Sequence, residues 1–431
     1  MPKYDIIVIG AGAAGLMTAY ELSNAGKKVL VLEAGAHIGG RIHTLIDSNF
    51  SYPVELGAEF IHGDLPVTEQ LLKEANIKYS RTGGKMLTVN EREEGDFYEG
   101  WDLLDEKLKE VKEDITLKQF LDTYFKEEKY KGLRRSVQAF AEGYDSADIT
   151  IASTLAFRDE WLSEENSAQY RIDEGYGKLI DHLFTESTKH GCTINLSTVV
   201  KGINWRQGTV EVDTAENKIF SANKVIITVP IGVLTANENS KAHIKFTPNI
   251  LPQLNAAKNI GYGYVIKILI EFDEAFWTKQ ETEKRMGMSL DNMSFLFSHE
   301  AVPGWWTQYP KQSTILTGWA GGSKAALLKT ADDTAIYDKA IQSLSNIFKL
   351  SIEELEKKIR AHKIVNWSAE PFILGSYSYA TLGTFEARKL LTQPVQNTLY
   401  FAGEALYEGP EMGTVEAALA SGLKVAKDIL K

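Results

Sequence analysis

The first patterned stretch is a short apolar run, Asp5 to Ile9 (DIIVI), followed at once by Gly10-Ala11-Gly12-Ala13-Ala14-Gly15. An uninterrupted apolar run closed by glycines predicts a buried strand. Leu16 to Ala25 then repeats apolar positions at helical spacing and stops before Gly26, so the opening reads strand, turn, helix. A second strand, Lys28 to Leu32, ends at Glu33, 18 residues past Gly15. Further strands are predicted within Thr193 to Val212 and at Lys224 to Val229, Val265 to Phe272 and Thr314 to Trp319. Asn397 to Glu404 (NTLYFAGE) reads as a strand entering a turn. Helical spacing marks Trp101 to Thr123, Tyr130 to Glu142, Thr334 to Phe348 and an Ala-rich closing segment, Met412 to Leu430. No internal repeat or low-complexity linker interrupts this order, which makes the domains interleaved rather than consecutive.

The glycine cluster carries the first chemistry. Gly10, Gly12, Ala14 and Gly15 let the chain turn tightly, admit a pyrophosphate to the backbone and pack the helix on its strand, with phosphates facing helix N–H groups. A carboxylate at Glu33 is placed to accept both hydroxyls of an adenosine ribose. Beyond it, Glu33-Ala34-Gly35-Ala36-His37-Ile38-Gly39-Gly40-Arg41 adds a second glycine pair and an arginine suited to bidentate phosphate contact. That continuation points to a flavin rather than a nicotinamide dinucleotide.

In this order of motifs, GxGxxGL and then EA with a following GGR, the sequence resembles the FAD-dependent amine oxidase superfamily. Protoporphyrinogen oxidases, phytoene desaturases and L-amino-acid oxidases share the pattern. The resemblance covers nearly the whole chain and is weakest from about 85 to 165. It implies an α/β fold in which a Rossmann-like FAD-binding domain of the GR2 type, residues 1–78, 190–236 and 385–431, is interleaved with an α+β substrate-binding domain, 79–189 and 237–384. It also implies that Val200 pairs its backbone with adenine, that Glu404 bonds the ribityl chain, and that Gly57, Ala58 and Glu59 pass the reactive edge of the flavin. The helix beginning near Gly413, with Thr414 and Val415, would aim its N-terminus at the flavin pyrimidine, where charge gathers on reduction.

Lys267 lies inside an apolar strand, where a buried ammonium needs a partner. One reading makes it an edge-strand lysine pointing to solvent. The flanking Gly261 to Trp277 resembles the family segment whose lysine holds a water against flavin N5, a cation that would assist electron transfer to O2. Trp367 and Tyr377, read alone, are an aromatic strand and turn of the core kind; the run WSAEPFILGSYSY is similar to polyamine oxidases and histone lysine demethylases and puts Tyr377 on the substrate side. Ser376 stands where monoamine oxidases carry a flavin-linked cysteine, so the FAD is expected to be non-covalent, and Thr414 stands where they carry a second cage tyrosine. In Glu55 to Gly63, Phe60 replaces the carboxylate-clamping arginine of L-amino-acid oxidases, which argues against an amino-acid substrate. Glu59, His62 and Asp64 are candidates to hold a second cationic group, against a structural histidine at 62 and a solvated loop carboxylate at 64.

Composition narrows the class further. At 431 residues, 44% hydrophobic, 24% charged and 10% aromatic, the chain is a globular one with room for real cores, not a disordered, collagen-like or disulfide-scaffold protein. Its one cysteine, Cys192, excludes an internal disulfide or a multi-cysteine metal site, and no metal cluster is expected. A formal charge of −11 opposes binding to nucleic acid or anionic membranes. With no signal-peptide pattern at the N-terminus and no apolar run of 18, the expected compartment is the cytoplasm. The expectation is an oxidoreductase taking hydride from a small amine, di- or polyamines first, with O2 as acceptor and peroxide and aldehyde as products. Two alternatives stand beside it: a desaturase or protoporphyrinogen-oxidase-like enzyme, and a demethylase or corepressor scaffold, which would need partner-binding modules. Neither the amine nor the oligomeric state is written in the residues.

Overall fold

The computed structural model describes residues 3–63, 65–89, 100–162, 168–409 and 411–431. Asp64 falls outside them. The opening run forms the strand Tyr4–Ile9, and its last four residues are fully buried on both faces. A strand covered on both sides has no polar face, so its sequence is a continuous apolar run. It is central to an eight-stranded sheet whose path runs Lys245–Thr247, Val200–Arg206, Thr209–Thr214, Ile219–Ile227, Tyr4–Ile9, Val29–Leu32, Thr193–Asn195, with Leu399–Phe401 also paired to Ile219–Ile227. Ile9 pairs with both Leu32 and Ile227, and Ile227 with Phe401, all in parallel strands. Their carboxyl ends therefore finish side by side, the edge at which open α/β sheets bind ligands.

The helix Ala13–Asn24 lies on this sheet and meets the closing helix, Val415–Leu430. Small residues make that approach possible: a side chain at Gly422 would collide with the Ala14 carbonyl, and the Thr18 hydroxyl donates to the Gly422 carbonyl at 3.2 Å. The helix Gly177–Lys189 joins the same core through Leu179, Ile180 and Leu183. Phe246 and Ala257 extend the core on the opposite face. Residues 177–189 and 245–257 thus pack with the larger sheet, beyond limits drawn at 189 and 236, because the apolar face continues across them. A second, six-stranded sheet runs Ile359–Asn366, Val265–Phe272, Ile315–Gly321, Gly304–Trp306, Met293–Phe297, Lys85–Thr88 and is covered by the helix Asp333–Phe348.

Three predicted spans are adjusted. The first helix begins at Ala13, three residues before Leu16, and the last at Val415 rather than Met412, because Thr414 caps it. The helical stretch 101–123 divides into Trp101–Glu110 and Leu117–Tyr124, since Thr116 and Gln119 form a capping box that starts a new helix. Among the described residues no helix is long and apolar enough to cross a membrane, and no group of three or more His, Cys, Asp or Glu could hold a metal.

Candidate active site

Gly10 leaves the first strand at φ +104°, and a side chain there would lie 2.8 Å from the Thr228 hydroxyl. Only glycine takes that turn without strain. Gly12 caps the following helix with no side chain over its end, and Ala14 and Gly15 form its first turn, leaving the N–H groups bare. Glu33, at the end of its strand, accepts from the backbone N–H of Ala11 at 2.7 Å and of Gly35 at 2.6 Å. Each oxygen keeps a lone pair for a further donor. The Gly39 N–H donates to the Ala11 carbonyl at 2.8 Å, so the Gly39-Gly40 turn folds directly against the first glycine turn. The Thr198 N–H donates to the Glu33 carbonyl at 2.7 Å, which brings Val200 to the same end of the sheet.

Arg41 donates to Glu404 at 2.9 Å and to the Ser376 carbonyl. The other Glu404 oxygen accepts from Ser378. Arg41, Thr228, Pro230 and the Gly403-Glu404 turn line a cleft at this edge. An uncapped helix end, glycine turns, an arginine and this cleft on one sheet edge fit a dinucleotide with its pyrophosphate on the helix.

Lys267 sits in the strand Val265–Phe272, which is paired on both sides, by Ile315–Gly321 and by Ile359–Asn366, so it is no edge residue. Its side chain is 1% exposed; the ammonium donates to Glu59 at 2.8 Å and to the Gly57 carbonyl at 3.1 Å. The second Glu59 oxygen accepts from Arg171 Nε at 3.0 Å, Trp306 Nε1 at 3.1 Å and Gln308 Nε2 at 3.2 Å. Burial pushes the Glu59 carboxyl up, but Lys267 and Arg171 outweigh it and bring it down to about 2. The Arg171 guanidinium lies over the Phe60 ring at 4.4 Å and also donates to the carbonyls of Thr307 and Tyr309. Four protein donors hold the Glu59 carboxylate, so its side chain does not stand free for a substrate cation. Arg171, Trp306 and Gln308 carry no local signal, because only the fold brings them from 112 to 249 positions away.

The remaining candidates converge from other loops. Gly57 lies under Trp367, whose indole N–H donates to the Leu56 carbonyl at 3.2 Å, and a side chain at Gly57 would strike the Arg41 carbonyl. Ala58 donates to that carbonyl at 3.1 Å. Tyr377 donates to the Tyr144 carbonyl, and burial raises its phenol well above the usual range. Gly413, before the closing helix, packs against Tyr377 Cδ2 at 3.1 Å from where a side chain would start; Thr414 uses its hydroxyl to accept from Ala417 and to donate to Glu411, and Val415 follows as the first helical residue. His62 packs edge-on to Tyr144 with ring centroids 5.5 Å apart, and its Nδ1 has no partner. Burial lowers its imidazole to about 4, so at neutral pH it is an uncharged group rather than a cation. Lys267 and His62 are not bonded to each other.

Sequence reading passed over a carboxyl pair. Asp145, between Tyr144 and Ser146, pairs with Glu160; burial raises both carboxyls, Glu160 raises Asp145 further, and the hydrogen bond from Asp145 partly offsets the rise at Glu160. Neither has a cationic partner among the described residues. Both charges reach Tyr377 and Tyr144. No spacing rule links two acids 15 residues apart in a strongly charged segment.

Compared with known proteins, the chain matches the family described as flavin containing amine oxidoreductase over residues 13–97 and 91–430. Lysine-specific histone demethylase 1B of Mus musculus is 27% identical over 462 residues, covering 100% of this chain and 54% of that protein. Polyamine oxidase 2 of Arabidopsis thaliana is 28% identical over 469 residues, covering 98% and 87%. The chain thus spans about half the length of the demethylases it matches and most of that of the plant oxidases. Among solved structures, putrescine oxidase bound to putrescine superposes with a TM-score of 0.78 at 18% identity, covering 99% of each chain. Cyclohexylamine oxidase from Brevibacterium oxydans IH-35A gives 0.78 at 19%, again over 99% of each. The fold is that of these enzymes, a Rossmann-like sheet joined to a second, six-stranded sheet. Family match, fold and glycine-lined edge together make this chain a member of the flavin-containing amine oxidoreductase family.

Proposed function

We propose that the protein oxidises a primary or secondary amine lacking an α-carboxylate, di- and polyamines before monoamines. The imine would hydrolyse to an aldehyde, with O2 reduced to hydrogen peroxide. When bound, FAD supplies a two-electron acceptor for the hydride of the amine α-carbon. Gly10, Gly12, Ala14, Gly15, Glu33, Gly40, Arg41, Val200 and Glu404 are the residues that would hold it, non-covalently, since Ser376 offers no thiol. The N-terminus of the closing helix, at Thr414 and Val415, would present positive potential to the flavin. Tyr377 and Trp367 supply aromatic walls for an uncharged amine. His62, neutral by burial, can accept a hydrogen bond without adding a repelling cation. Lys267 keeps one N–H free of protein partners, the group that would hold water and present charge during oxygen reduction.

The observation that carries the preference for a second amino group is the Asp145–Glu160 pair. Two carboxyls sharing a hydrogen bond beside Tyr377, with no cation of their own, are the counter-charge a distal ammonium would seek. Arg171, by contrast, is committed to Glu59 and two carbonyls and so does not stand ready to clamp a carboxylate. A peroxide-release screen over monoamines, diamines, polyamines, L-amino acids and a methyl-lysine peptide tests the reading. Diamines or polyamines should give the highest kcat/KM, and Asp145→Asn should raise their KM more than that of a monoamine. A methyl-lysine peptide or an amino acid outpacing every free amine would overturn it.

A further inference from the structure

We propose that Glu59 is the positioning residue of Lys267, aiming its one uncommitted N–H at the flavin and halving the charge that faces it. An ammonium has three N–H donors. Glu59 at 2.8 Å and the Gly57 carbonyl at 3.1 Å take two; the Trp306 ring lies 5.5 Å away, and no third hydrogen-bond acceptor is found among the described residues. The two acceptors thus fix the direction of the third.

Glu59 itself cannot swing. Its other oxygen is bound by Arg171 from one segment and by Trp306 and Gln308 from another, so the carboxylate is clamped before it clamps the lysine. Arg171 is in turn held by the carbonyls of Thr307 and Tyr309. Charge follows the same accounting: one lysine, one arginine and one carboxylate leave a single net positive charge in a site where the lysine and glutamate side chains are 1% and 5% exposed. Without Glu59 the site would hold two cations, buried Lys267 and largely covered Arg171, with no carboxylate between them. A carboxylate placed only for stability would need neither the lysine's remaining donor kept free nor three further donors to fix its rotamer.

This inference rests on the proposed part of Lys267 in the oxygen half-reaction, and the experiment separates the two. Lys267→Met, Glu59→Gln, Glu59→Asp and the Glu59→Gln/Lys267→Met double variant are compared in the holoenzyme. Reoxidation by O2 is followed by stopped flow and the two-electron midpoint potential of the flavin by spectroelectrochemistry. Glu59→Gln should slow reoxidation on the order of ten- to a hundredfold, as a misdirected group does, and raise the potential, since a negative charge is lost. Glu59→Asp, one methylene shorter but still charged, should hold the potential near that of the parent while reoxidation stays slow.

In the Lys267→Met background, Glu59→Gln should slow reoxidation no further, because the group it positions is gone. The double variant also serves if two uncompensated cations prevent Glu59→Gln from folding. Thermal unfolding of the flavin-free proteins should show the same non-additive coupling of the two residues. Full additivity in the double variant, or a loss of thermal stability with potential and reoxidation unchanged, overturns the role of Glu59. An unchanged reoxidation rate in Lys267→Met alone overturns instead the role of the lysine.

Discussion

Glu33 does two jobs at the scale of a single carboxylate. It ties the Ala11 and Gly35 N–H groups together, which shapes the first turn, and each of its oxygens keeps a lone pair, proposed to meet the ribose. Hydrogen bonds to a charged group contribute about 1.5 to 3 kcal/mol each. Glu33→Ala should therefore weaken FAD binding by at least tenfold in a titration of apoprotein, and an unchanged Kd would remove the assignment. His62 gives a pH effect of definite sign. Its folded value of about 4 lies below the ordinary 6.5, so between those limits the unfolded chain binds the proton more readily. Stability credited to this group is complete above pH 6.5 and lost as pH falls toward 4. A His62→Gln variant should consequently lose less of its Tm than the parent between pH 7 and pH 5, and equal losses would show that His62 is not buried as described.

At the scale of elements, the closing helix is pinned to the fold by more than its apolar stripe. Glu416, 1% exposed, accepts from the N–H groups of Val67 and Thr68 at 2.9 and 2.8 Å and from the Thr68 hydroxyl at 2.7 Å. It thereby caps the helix Pro66–Glu74 with a charge at its positive end. Removing the acceptor strands three donors, two of them buried. Glu416→Ala should cost about 2 to 3 kcal/mol and lower Tm by several degrees, whereas Glu416→Gln, which keeps one carbonyl, should cost less. Equal, small effects of both would mean the cap is solvated. By comparison, Asp332 caps the 16-residue helix Asp333–Phe348 on the exposed side, where an alanine costs about 1 kcal/mol.

For the whole molecule, the two sheets divide the labour. The larger gathers the ends of four parallel strands into one edge, where the dinucleotide is proposed to bind, and the smaller holds Lys267 in a fully paired strand. The only thiol, Cys192, is buried in the first core, and burial pushes it up to about 12, far from a reactive thiolate. All flavin should therefore leave the protein on acid precipitation. Yellow colour retained in the washed pellet would contradict a non-covalent cofactor.

Local chemistry was legible along the chain. The apolar run before Gly10, the acid ending the second strand and the Gly39-Gly40-Arg41 turn lie within 41 residues, and short-range geometry alone brings them together. The Val265–Phe272 strand and its lysine were likewise visible, because an apolar run and a charge inside it are properties of adjacent residues. What neutralises that charge was not. Glu59 is 208 positions from Lys267, Arg171 a further 112 from Glu59, and Asp145 meets Glu160 only after two helices pack, so no spacing encodes these contacts. Sequence determined which groups must be buried or turned; the tertiary structure decided their partners, because a buried charge is satisfied by whatever the packed chain places within 3 Å of it.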